Sequence, residues 1–281
     1  MKRAMSKMLA HANHYMASSI EFLTKIFKYN EMKRLISIII LAFTVSALSA
    51  QPNNLMKDAE RYYTANDFAN AIKTYESILK QGFESSELYF NLGNSYYKNN
   101  EIAKSVLNYE RAKLLAPNDE DIQFNLDLVN QFVVDKISPM PRFIVTKWWQ
   151  SLINMNSADG WGRISLIFFI IMLIAAAGYI FASSVSLKKT SFIAAIVLFA
   201  FCAFSFGFGS TQKTKISNRK GAVIFSSTVT VKSSPDESGT DLFVIHEGLK
   251  VEVKEVLSGW CNIKIADGSS GWVKQSTLEK I

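Results

Sequence analysis

The chain has very little of what an active site is built from. It carries two cysteines and three histidines in 281 residues. Cys202 lies inside a long apolar run and Cys261 inside an alternating segment, so the two belong to different environments and are poor disulfide partners. Cys261 shares strand parity with Ile263 and Ile265, which points it into a core. His11 and His14 precede the first apolar run and look incidental. His246 is the only histidine after that run, and "HEG" places no second ligand beside it, so a turn-flanking role outweighs catalysis or metal binding. No G-x-x-x-x-G-K-[ST] loop occurs; Gly207 and Gly209 end an apolar stretch. A concentrated basic face is also missing, despite a formal charge of +7. Residues 1–50 hold seven Lys/Arg against two Asp/Glu, residues 51–135 eight against thirteen, and residues 212–281 ten against eight. The excess sits mainly in the amino-terminal stretch, where it offers no folded surface to phosphates. These absences exclude a nucleic-acid partner and leave no residues for an enzyme, a cofactor or a metal.

Apolar sequence, by contrast, is abundant: 49% of the residues are hydrophobic. From Met32 the chain reads "MKRLISIIILAFTVSALSAQ", a positive flank, a short apolar core and small residues, the order of a secretory signal peptide. Cleavage is expected within Ala47–Ala50, most simply before Gln51. Residues 1–31 are then an extension, or translation starts at Met32. Residues 164–182 and 192–209 are uncharged over 19 and 18 residues, long enough as helices to cross a hydrocarbon layer of about 30 Å. The connection at 183–191, with Lys188 and Lys189, makes a two-helix transmembrane hairpin with a cytoplasmic link, so both flanking regions share one side. An exported amino terminus puts them outside, in the periplasm of an inner-membrane protein. Lys213, Lys215, Arg219 and Lys220 in the 210–221 linker oppose the positive-inside rule, and the inverted arrangement stays open. In the juxtamembrane segment 136–163, Trp148, Trp149 and Trp161 suit a membrane interface. Phe143, Ile144, Trp148 and Leu152 form one face of an interfacial helix, unless the segment is an ordinary linker.

Residues 88–118 read "LYFNLGNSYYKNNEIAKSVLNYERAKLLAPN". Tyr89, Leu92, Gly93 and Tyr96, followed by Ser105, Tyr109, Ala112 and Pro117, resemble the tetratricopeptide pattern, with Ser105 in place of the usual alanine. Thirty-four residues earlier, Ala59, Tyr62, Ala71 and Tyr75 form a weaker copy in which Asp58 replaces the leucine. "DEDIQFNLDLVNQFVV" then supplies a capping helix, so residues 51–135 make an all-α solenoid of about five helices. The resemblance implies a peptide groove lined by Met56, Glu60 and Tyr63, by Glu87, Phe90, Asn94, Tyr97 and Lys98, and by Phe124 with Leu128 on the cap. Phe90 and Tyr97 serve either that groove or the packing between helices. With essentially one cation, Lys98, the groove is not suited to capture a terminal carboxylate.

After the second apolar run the texture changes to alternating strands, Val229/Val231, Val251/Val253 and Ile263/Ile265, separated by Glu247-Gly248, Ser258-Gly259 and Asp267-Gly268. Residues 222–281 resemble bacterial SH3-like domains, an all-β small barrel that such families direct at cell-wall peptides or protein partners. Trp260 and Trp272 are placed near a ligand surface or across the thin core.

The order of parts, including "PRFIVTKWWQSL", resembles the E member of the Bat, or aerotolerance operon, family. That resemblance implies a multidomain inner-membrane scaffold without enzymatic activity. It also implies von Willebrand factor A-type membrane proteins and a MoxR-type ATPase as companions, and a role in oxygen or stress tolerance. An envelope sensor that binds peptidoglycan through the barrel is the alternative.

Overall fold

The structure is a computed structural model that describes residues 53–281 apart from residue 142. The signal-peptide expectation lies outside the described residues. Five helices come first: α1 (Asn53–Thr64), α2 (Phe68–Lys80), α3 (Ser86–Lys98), α4 (Ile102–Leu115) and α5 (Glu120–Val129). Three of the helix starts have a local cause. Asp67, Ser85 and Asp119 accept hydrogen bonds from backbone N–H groups of the first turns of α2, α3 and α5. Asn66 and Asn100 take the left-handed conformation, φ 60° and 63°, at the equivalent turn of each repeat. Asparagine tolerates that region where most side chains do not.

Packing explains the repeat pattern. A Cβ on Gly93 would stand 2.8 Å from the Tyr109 ring, so only glycine lets α3 and α4 approach this closely. Ser105 is fully buried and its Oγ donates to the Gly93 carbonyl at 2.9 Å, which gives the serine a partner where an alanine would have none. Tyr75, Tyr89, Tyr96 and Tyr109 are all buried; Tyr62, at the equivalent position to Tyr96, is exposed.

Helix α6 (Ile144–Asn154) leads into two long helices, α7 (Ala158–Phe181) and α8 (Val185–Asn218). Both are long and apolar enough to cross a membrane. At 24 residues α7 is about 36 Å long, and at 34 residues α8 reaches about 51 Å. α7 begins six residues before the apolar run 164–182, α8 extends beyond the run 192–209 at both ends, and only residues 182–184 separate them; the segment expected as a linker is helical as far as Asn218.

Two compact units result. One contains residues 165–203, an antiparallel helix pair in which Phe168 stacks on Phe201 at 5.4 Å and the Ser165 hydroxyl donates to the Cys202 carbonyl at 3.2 Å. Its outer surface is apolar, with Ile167, Phe169, Ile174, Ile193 and Phe199 exposed, the inverse of a soluble core.

The other unit contains residues 51–164 and 204–281. After α8 its chain forms β1 (Gly221–Ile224), β2 (Thr228–Lys232), β3 (Asp241–His246), β4 (Lys250–Leu257), β5 (Trp260–Lys264), β6 (Ser270–Lys274) and β7 (Leu278–Lys280). All pairings are antiparallel, in the order β3-β2-β6-β5-β4-β1-β7. Val229, Val231, Val251, Val253, Cys261, Ile263 and Val273 point into one core, as the alternation predicts. Ser258 and Gly259, both at positive φ, turn β4 into β5 with Leu257 opposite Trp260, a two-residue hairpin of the kind that matches strand twist.

Candidate functional site

The expected groove residues divide into two groups. Glu60, Glu87, Lys98 and Phe124 are exposed, and Phe124 keeps 68% of its surface. Met56, Tyr63, Phe90, Asn94, Tyr97 and Leu128 are half-buried and partly committed to the fold. Met56 packs on the core of α1 to α3, and Tyr63 meets Phe68 edge-on at 5.5 Å. Phe90 lies 5.9 Å from the Tyr109 ring. Tyr97 meets Phe132 edge-on at 5.8 Å. Phe132, absent from the sequence-based groove, lies beside these residues, and no periodicity marks it.

Asn94 is the joint of this region. Its Oδ1 accepts from the Tyr109 hydroxyl at 2.6 Å and from Asn125 Nδ2 at 2.9 Å, tying α3 to α4 and α5. The acceptor is spent, so what it can offer a bound backbone is its Nδ2 as donor. The groove is also electronegative: burial first, then the charges of Glu60 and Glu87, push the Tyr75 hydroxyl well above its ordinary pKa. An apolar segment with flanking Lys or Arg suits such a surface, and a carboxylate does not.

A second arrangement was not legible in the sequence. The barrel packs on the α4 side of the repeats and shares a core with them. Ala103, Val106, Leu107 and Val129 from the helices and Val133 just after them cluster with Val223 and Ile281 from the barrel. Around this core, Lys250 pairs with Glu110 at 2.5 Å and Arg111 with Glu279 at 3.0 Å. Arg111 also donates to the Lys280 carbonyl at 2.8 Å, and Arg219 pairs with Glu84 at 2.6 Å. His246 finds its partner here: its backbone N–H donates to Asp135 Oδ2 at 2.6 Å and its Nδ1 meets Oδ1 at 2.9 Å. The histidine is a latch between the capping segment and the β3 end.

Trp260 and Trp272 are half-buried on the outer face of β5 and β6, with Cys261, Ile263 and Val273 facing inward. Trp272 sits opposite Asn262 and Trp260 opposite Lys274, which makes the two indoles diagonal neighbours. Phe143, just before α6, and Ile144, Val145 and Trp148 in its first turns are between 69% and 86% exposed. The helix is pinned at its other side: Trp149 and Trp161 both meet Phe208 edge-on, and Gln212 Nε2 donates to the Ile153 carbonyl at 3.0 Å.

No curated protein sequence is similar enough to match the chain. Among solved structures, the Yersinia enterocolitica type III secretion chaperone SycD, in complex with a peptide of the translocator YopD, aligns at 12% identity over 55% of this chain and 94% of its own. Its TM-score of 0.28 is too low to carry an argument. The family matches are specific to two segments. Residues 86–119 match the tetratricopeptide repeat and residues 227–279 the bacterial SH3 domain, two domain types that point to protein interaction rather than catalysis.

Proposed function

We propose that the chain is a non-enzymatic scaffold of the bacterial inner membrane that holds envelope proteins together through its repeat groove. The observation that supports this reading is the contrast within the repeats: the α4 side is closed by the barrel, while Glu60, Glu87, Lys98 and Phe124 stay exposed. The first bound partner would be a segment with apolar anchors and basic flanks. The resemblance to the Bat family makes von Willebrand factor A-type membrane proteins the first candidates, with a MoxR-type ATPase in the same stress-tolerance assembly. Both soluble domains would then lie in the periplasm.

Affinity isolation of the intact protein from its own membranes tests this. Glu87→Lys with Phe124→Ala should reduce recovery of the von Willebrand-type proteins at least tenfold, with the fold unchanged. Undiminished recovery would remove the groove from the proposal.

The diagonal pair Trp260 and Trp272 favours a second reading, an envelope sensor in which the barrel binds peptidoglycan. The intact detergent-solubilised protein is the reagent for that test, because residues 212–281 alone would expose Val223 and Ile281. Co-sedimentation with isolated cell wall that is lost on Trp272→Ala would support the sensor; absence of co-sedimentation would sink it.

A further inference from the structure

Lys215, Arg219 and Lys220 follow the second apolar run, and they do not simply dangle in solvent. They line a cleft of about 1040 Å³ walled by the end of α8, the end of α4, residues 139–141 and strands β4 and β5. Six cations face it, Lys113, Lys215, Arg219, Lys220, Lys250 and Lys264, against the two carboxylates Glu110 and Glu252. Lys250 is spent on Glu110 and Arg219 on Glu84. Lys215 has only neutral partners, the amide oxygens of Gln150 at 3.2 Å and Asn154 at 3.3 Å. Among the described residues, Lys215, Lys220 and Lys264 have no carboxylate within 4.0 Å. A cleft with this excess positive charge is built for an anion.

We propose that the cleft binds the phosphodiester headgroup of an anionic phospholipid from the adjacent leaflet. Depth supports a lipid. The apolar run ends at Gly209, and Lys215 lies six residues further along the same helix, about 9 Å on. The polar layer of a bilayer is itself about 5–8 Å deep on each side, and a lysine side chain reaches back toward it, so the Lys215 ammonium can meet a headgroup that enters the cleft. The neighbouring helix supports it too. Asn154, the last residue of α6, lines the cleft, and the exposed Phe143, Ile144, Val145 and Trp148 at the start of the same helix offer acyl chains an apolar surface. A soluble phosphate ester would have no use for that surface. The basic residues that run against the positive-inside rule thus acquire a role on whichever side of the membrane the unit stands.

Native mass spectrometry of the full-length protein in detergent, equilibrated with phosphatidylglycerol or with phosphatidylcholine, tests the site. One phosphatidylglycerol should be retained per chain and phosphatidylcholine should not. Lys215→Gln with Lys264→Gln should weaken retention about 30-fold, about fivefold for each lysine beside an anionic headgroup. Lys220→Gln with Lys264→Gln, which leaves the contacts between α6 and α8 intact, should act in the same direction, and an unchanged unfolding temperature in phosphatidylcholine shows that the fold survives. Equal retention of the two lipids, or unchanged retention by the second variant when folded, would overturn the proposal. Displacement by soluble glycerophosphoglycerol at the lipid's own affinity would overturn the lipid assignment in favour of a free phosphoester.

Discussion

The repeats present two faces with opposite fates. On the α4 side Val106, Val129 and Val133 are buried with Val223 and Ile281 of the barrel, ringed by the pairs Glu110–Lys250 and Arg111–Glu279. On the groove side Glu60, Glu87 and Phe124 face solvent, over aromatic rings that already pack on one another. Both faces mix apolar and charged residues, so composition does not decide which is sealed. The barrel's matching strip, Val223 and Ile281 flanked by Lys250, Lys280 and Glu279, does. Three helical repeats are usually needed to bury a continuous core. Among the described residues, two repeats, a capping helix and a barrel achieve it together.

Substitutions separate the two faces by size of effect. Val223→Asp places an unpaired carboxylate in the shared core, where the side chain has no exposure, and should cost about 3–5 kcal/mol in denaturant unfolding. A loss below about 1 kcal/mol would mean the barrel does not share that core. Gly93→Ala forces a Cβ against Tyr109 and should cost about 1–3 kcal/mol, measured the same way. Glu110→Gln removes the charge opposite the half-exposed Lys250 and should cost about 1 kcal/mol, an effect that shrinks in high salt.

Alkali provides a titration of the sealed side. Burial and the Glu84 contact push the Tyr89 hydroxyl up to about 12, against about 10 in an unfolded chain. The neutral phenol therefore favours the folded state fully below pH 10, and that contribution fades as pH rises from 10 toward 12. The unfolding midpoint should fall across that window, and Tyr89→Phe should flatten the fall. At the groove, Phe124→Ala should change stability by no more than about 0.5 kcal/mol while reducing partner recovery. A large loss of stability there would mean the exposed face is structural after all.

Much of the architecture was legible because its causes are local. The 34-residue repeat, the two uncharged runs and the strand alternation each follow from side-chain period, and Ser258-Gly259 and Asp267-Gly268 both turn where expected. Asn66 and Asn100, also 34 residues apart, carried a further repeat signal in their left-handed turns. For the proposed groove, register put Phe90, Asn94 and Tyr97 on α3, but their partners lie elsewhere: Tyr109 on α4, Asn125 on α5 and Phe132 after α5.

Period and hydropathy by themselves determined the elements: five helices, two long apolar helices and a small barrel, because each depends on neighbours within a turn or a hairpin. Only the tertiary structure decided that the barrel seats on α4, that Asp135 receives His246 and Glu110 receives Lys250, and that the lysines after the second apolar run gather in one cleft. Those partners lie 111 and 140 residues apart in the chain, and an ion pair at such separation exists only after the surfaces that carry it have docked.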